Sequence, residues 1–454
     1  MSSINPTSSG NQTEYNSQWA VYLRAIHHEV LPALGCTEPI SLALASAIAG
    51  SYLFDDTTPI STKLGQITSI NGKVSANLMK NGMGVSVPGT GMVGLPIAAA
   101  VGALGGDPKG GLEVLKGLND EIVTAGKYLL ETNRVNVAIK PVANILYSEV
   151  TIVASEDSVT VAIADSHTQV IKIEKNKEVL FELKLDETID NTAPYCLREA
   201  TVKSIYEFAH NVPFEQIEFI LQAEALNNAL SEEGMKHNYG LHIGRTLKAQ
   251  IETGLLSDDL LSNILIRSTA ASDARMGGAT LPAMSNSGSG NQGISATMPV
   301  VVVADHLKAT AEQRARALIL SHLIAVYIHS KLPKLSAMCA VSTAAMGSAA
   351  GMAWLLGKGE YQPISLALSS MVGDIAGIIC DGASNSCAMK VSTSASSAFK
   401  AVLMAISSSG VTGNEGIVSH DVDQSIENLC SLARGSMQQT DVQIIEIMVK
   451  KDNC

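Results

Sequence analysis

The chain has 454 residues, 46% of them hydrophobic, enough to bury a large core and divide into two domains. A formal net charge of −12, a pI near 5.3 and the lack of any Lys/Arg block exclude a general nucleic-acid surface. Seven cysteines, an odd number at scattered spacing, point to thiols or metal ligands before disulfides.

Residues 1–18 are polar and carry no basic, apolar leader, so the expectation is a cytoplasmic protein. Apolar residues recur at helical intervals over 18–34 and again over 40–53, predicting two helices around a break at Cys36. Residues 67–87 alternate as strands do, with Asn71-Gly72 as a turn signal, and a glycine-rich passage from Pro88 to Gly111 leads into a small-residue helix. Between 135 and 185 short β-branched runs are broken by polar turns, which predicts a compact β-rich insert. After Pro194 helical periodicity returns over 204–210, 216–230, 242–253 and 308–331. It continues through two small-residue helices to 397–407 and 424–432, and residues 442–449 suit a strand or a short helix.

The expected fold class is therefore α+β: a mainly α-helical catalytic core, made of 1–130 and 194–454, with an inserted α+β domain at 135–190. Residues 336–356 are uncharged and long enough for a membrane span. Their Ala, Ser, Gly and Met content favours close helix packing instead, so no membrane is expected.

Cys339, Cys380 and Cys387 lie 41 and then 7 residues apart among small residues. Three thiolates suit a soft metal or an iron–sulfur cluster, and a cluster held by three leaves one iron open as a Lewis acid. The plainer reading is that they are buried small hydrophobes. Cys36, in Gly35-Cys36-Thr37-Glu38-Pro39, falls at a predicted helix start, where backbone N–H groups and the helix dipole favour a thiolate; Glu38 opposes this. Ser285, Asn286, Ser287, Ser289 and Asn291 belong to a loop able to grip a carboxylate or phosphate, and no Walker or dinucleotide fingerprint is present. Asp165-Ser166-His167-Thr168 reads as a strand-end turn, His237 and His242 as satisfied histidines, and Cys196 and Cys430 as packing residues.

On the Cys36 motif, on Gly288-Ser289-Gly290-Asn291-Gln292-Gly293 and on Cys380-Asp381-Gly382-Ala383 through Cys387, with Cys339 upstream, the sequence resembles the L-cysteine desulfidases, relatives of the α chains of iron–sulfur L-serine dehydratases. The resemblance implies a 4Fe-4S cluster on Cys339, Cys380 and Cys387, with Cys36 as proton acceptor. It implies substrate binding at Thr37, Glu38 and the serine-rich loop, and elimination of a small amino-acid substrate to pyruvate, ammonia and sulfide. L-Serine dehydration is the competing reaction. A non-catalytic iron–sulfur redox sensor or electron carrier is the competing class, and would want four ligands. Homo-oligomer formation is left open. The final Cys454 could cap an open iron, although a solvated tail is the simpler expectation.

Overall fold

The computed structural model describes residues 9–183 and 195–451, so the capping role considered for Cys454 lies outside the described residues. A six-stranded mixed sheet is formed by β1 (Ile67–Val74), β2 (Val135–Ile139), β3 (Tyr147–Ala154), β4 (Asp157–Ala164), β5 (Val170–Lys175) and β6 (Glu178–Glu182), in the order β2-β1-β3-β4-β5-β6. Only the β1/β2 pair is parallel. Asn71-Gly72 is not a turn: both residues sit inside β1, paired with β2 on one side and β3 on the other. Burial explains the choice, because a strand continuing through these residues turns Ile70, Gly72 and Val74 to the core, with a register shift between Ile67 and Ser69 ahead of them.

The strands expected as an insert at 135–190 do not close a sheet among themselves, since β1 lies between β2 and β3. Their apolar face, including Val150, Ile152, Val159 and Val161, shares one core with helices α1 (Thr37–Ser51) and α2 (Leu95–Gly105). The N-terminal segment thus packs with the sheet, because its almost uniformly apolar helices supply the cover that a one-sided sheet needs.

A second core is built mainly by the helices after residue 195, joined by Tyr22, Ala25, Ile26 and Val30 of the N-terminal segment. Its centre is formed by α3 (Leu260–Met276), α4 (Gly290–His306), α5 (Ala311–His329), α6 (Ala340–Leu356), α7 (Tyr361–Ile375) and α8 (Cys387–Ile406). The small-residue composition of α6 is a packing requirement: a Cβ at Gly347 would lie 2.2 Å from the Ser321 carbonyl oxygen of α5. Among the described residues no helix is long and apolar enough to cross a membrane. Residues 442–449 resolve as helix, within Met437–Lys451.

Candidate active site

Where the two cores meet, a small cavity of about 100 Å³ opens into a chamber of about 1040 Å³. His167, Ser287, Gly288, His329, Leu332 and Lys334 line both spaces and so form the neck between them. Cys36, Cys339, Cys380 and Cys387 all line the inner cavity.

Local backbone rules place each cysteine. An isolated antiparallel bridge joins Met338 to Ile379, with Cys339 N–H donating to the Ile378 carbonyl (3.0 Å) and Cys380 N–H to that of Ala337 (2.7 Å). Cys339 and Cys380 thus flank the same bridge, and Cys339 also begins α6 as its N-cap. The loop after Cys380 turns at Gly382 and ends in α8, whose first residue is Cys387. Lys80, fully buried, pins this loop: its Nζ donates to the Cys380 carbonyl (3.3 Å) and pairs with Asp441 at 2.5 Å. Cys36 caps α1 by position, but its side chain makes no capping bond and lies 3.8 Å from Met276 Sδ.

Burial dominates the electrostatics of these thiols. It pushes Cys36 up to about 12, against the pull of the Arg275 guanidinium and with a further upward push from Glu38. The helix start was expected to favour a thiolate; a site sealed from water outweighs it. Cys339 is likewise pushed up to about 12, first by burial and then by neighbouring Cys380, and Cys387 is raised for the same two kinds of reason.

Of the other expected residues, Glu38 lines the cavity and accepts from Asn81 Nδ2 (3.1 Å) and Thr37 Oγ1 (3.3 Å). Thr37 is outside that lining and serves by holding Glu38. Ser287, Ser289 and Asn291 face the inner cavity. Ser285 and Asn286 spend their side chains on the scaffold, Ser285 Oγ donating to the Leu31 carbonyl (2.6 Å) and Asn286 Nδ2 to that of the buried His322 (3.1 Å). Cys430 is buried as expected. Cys196 is not a packing residue: it is exposed and borders the outer chamber. His237 and His242 line neither space.

Motif reading passed over Arg275, Asn81 and His329, and it named Gln292 and His167 without giving either a role at the site. Arg275 is 4% exposed and donates Nη2 to the Gly35 carbonyl (3.0 Å), while its Nε has no partner among the described residues. That Nε sits over the start of α4, 2.2 Å from where a Cβ on Gly290 would stand. Asn81 Oδ1, Gln292 Oε1 and His167 Nε2 are also shielded from water and unpartnered, and all belong to the same lining. His329 Nδ1, in the same lining, lacks a partner as well. Buried polar atoms are seldom left unsatisfied, so five converging on one cavity mark it as built for a ligand.

A protein-family model described as serine dehydratase alpha chain matches residues 109–446. The chain belongs to that family. The match takes in Cys339, Cys380 and Cys387 and begins beyond Cys36. Curated relatives extend over nearly the whole sequence. A UPF0597 protein of Yersinia enterocolitica is 61% identical over 98% of this chain and 100% of its own length. Another from Chromobacterium violaceum is 61% identical over 95% and 98%. The UPF0597 protein YhaM of Salmonella gallinarum is 57% identical over 97% and 99%. Family membership makes this a serine dehydratase-like chain of the lyase type, related to iron–sulfur enzymes.

The cysteines fit such a cofactor in a specific way. Among the described residues no three His, Cys, Asp or Glu side chains converge closely enough for a single ion. Three thiols spread round one cavity, none in a disulfide, and with Cys380 close enough to raise the pKa of both Cys339 and Cys387, suit a polynuclear cluster instead.

Proposed function

We propose that this chain is an L-cysteine desulfidase that eliminates sulfide from L-cysteine, leaving aminoacrylate that hydrolyses to pyruvate and ammonia. The observation that carries the reading is the joint lining of one cavity by four cysteines and an unsatisfied buried arginine. Cys339, Cys380 and Cys387 would hold a 4Fe-4S cluster. When bound, that cluster supplies an electron-pair acceptor for the leaving sulfur.

The remaining work falls to the chain's own groups. Arg275 Nε and the N-terminus of α4 offer a positive seat for the substrate carboxylate, the guanidinium by a charge-assisted hydrogen bond and the helix by its dipole. Glu38, held by Thr37 and Asn81, presents an acceptor for the substrate ammonium. Cys36 is the proton acceptor at the α carbon, and Arg275 is the charge that offsets the cost of its thiolate. With both ends of the amino acid fixed, the α hydrogen faces a defined group, which is where orientation lowers the barrier.

L-Serine dehydration is the second reading, favoured by the description of the matching family. Anaerobic reconstitution followed by iron and sulfide analysis, with kcat/KM measured on both amino acids, separates the two. Sulfide and pyruvate released in equal amounts from L-cysteine, at higher kcat/KM than pyruvate from L-serine, supports the desulfidase. The reverse ratio makes it a dehydratase, and iron-free, inactive protein removes both.

A further inference from the structure

The product H2S carries two protons, and Cys36 accounts for one of them. L-Cysteine enters with a thiol proton and an α proton; a sulfur that is to meet an electron-pair acceptor must give up the first before the second is removed. We propose that His167 is a second proton carrier of this site, taking the thiol proton of incoming L-cysteine and returning it to the sulfur as that sulfur departs. The proposal rests on the desulfidase reading above.

Three features of the structure place His167 in this role. It follows β4 in the turn at 165–168 and lines both the inner cavity and the outer chamber. Its Nε2 is shielded from water and has no partner among the described residues. The ring is seated against Gly288, at φ +77°, where a Cβ would stand 3.1 Å from both Cε1 and Nδ1. Only glycine leaves room for the imidazole there.

The charged groups around His167 are Glu38 and Glu29, which favour its cation, and Lys334, which opposes it; His329 stands beside it in the same neck. Desolvation outweighs the carboxylates and holds the ring below the usual histidine pKa, so it waits as a neutral acceptor.

The sequence of bonds closes without an outside reagent. The substrate S–H breaks, its electron pair stays on sulfur, and an N–H forms at Nε2. The Cα–H then breaks to Cys36 in its thiolate form, the minor form that Arg275 favours against burial, the Cα–H pair becomes the second Cα–Cβ bond, and the Cβ–S pair leaves with sulfur. Protons from His167 and Cys36 complete H2S, restoring the neutral imidazole and the thiolate.

The test counts protons. Reconstituted Cys36→Ala protein, which binds but does not turn over, is titrated with L-cysteine by calorimetry in two buffers of different ionisation enthalpy. S-Methyl-L-cysteine, which lacks the thiol proton, is the control. Retention of the proton on Cys36→Ala, and release of about one proton per site on Cys36→Ala/His167→Asn, is expected. Equal proton counts for the two variants overturn the proposal. In steady state His167→Gln, with iron content and melting temperature unchanged, should lower kcat on L-cysteine by about 10²–10⁴-fold; an unchanged kcat overturns it while leaving the desulfidase reading intact. Wild-type protein releasing neither sulfide nor pyruvate from L-cysteine removes the desulfidase reading, and this proposal with it.

Discussion

Replacing Arg275 by Met tests the carboxylate seat directly. The wild-type guanidinium has both terminal nitrogens engaged, Nη2 on the Gly35 carbonyl and Nη1 on Met276 Sδ, and an Nε–H beside the start of α4 that has no partner among the described residues. A ligand carboxylate at Nε would gain one hydrogen bond to a charged group, about 1.5–3 kcal/mol. That is roughly a 10- to 150-fold difference in affinity. The assay compares L-cysteine with cysteamine, its analogue without the carboxylate, as inhibitors or ligands of wild type and Arg275→Met. Wild type should prefer L-cysteine by about this factor, and the variant should bind the two nearly alike. Arg275→Lys keeps the charge without the Nε–H and should fall between them. If Arg275→Met weakens both ligands equally, the guanidinium does not hold the carboxylate, and its role shrinks to tying Gly35 in place. A melting curve separates that outcome from misfolding, since the Gly35 carbonyl loses its donor in either case.

Lys80→Met leaves the Asp441 carboxylate without its cation, on the Asn77 amide alone, and should destabilise the protein by about 3–5 kcal/mol in denaturant titration, with Lys80→Met/Asp441→Asn recovering most of the loss. Cys380→Ser should lower iron per chain after reconstitution, whereas Cys36→Ser should keep the iron and lose turnover; loss of iron from both would make Cys36 a ligand. Gly288→Ala puts an L side chain at φ +77° against His167, costing about 1–2 kcal/mol of stability and reducing kcat more than iron content. The buried His322, held down to about 3 by desolvation from an ordinary 6.5, stays neutral in the fold while the unfolded chain protonates. Its contribution is intact above pH 6.5 and lost on acidification towards pH 3, at about 1.4 kcal/mol per pH unit; His322→Asn should flatten that part of the stability curve.

The cysteines that line the cavity were legible because their spacing and small-residue setting are unusual, and the family resemblance covered them. Arg275 was not, although a signal existed: it stands in Ala270-Ala271-Ser272-Asp273-Ala274-Arg275-Met276, a helix of small residues where a long cation has no reason to be buried unless something awaits it. His167 was hidden by an accurate local reading. The turn after β4 is real, but only the register of the sheet brings it beside residues 287 and 288. The serine-rich loop divided in a way composition cannot foresee: Ser289 starts α4 and faces the cavity, whereas Ser285 and Asn286 secure the loop to residue 31 and to His322. The run of short strands was read correctly as β structure, yet its partnership with β1, α1 and α2 depends on contacts some seventy residues away in sequence. Long-range pairing of this kind leaves no local trace.

The two cores divide the chemistry between them. Cys36, Glu38, Asn81 and His167 come from the segments that build the sheet core, whereas Arg275, Gln292, Cys339, Cys380 and Cys387 come from the helical half. The proton-handling groups of the proposed reaction therefore sit on one wall, and the thiols and positive charge on the other. Beside the cavity the walls are joined by a small apolar cluster of Cys36, Val85 and Met276 with Ala383 and Cys387, by the Arg275 to Gly35 hydrogen bond and by Lys80, which reaches the Cys380 carbonyl and Asp441. A cofactor on the three cysteines would add to this seam from one side, and a substrate held by Arg275 and Glu38 would bridge it. Arg275, Asn81, Gln292, His167 and His329 each hold a buried polar atom without a partner on this one cavity, so a substrate bound there would supply the partners that the fold itself withholds.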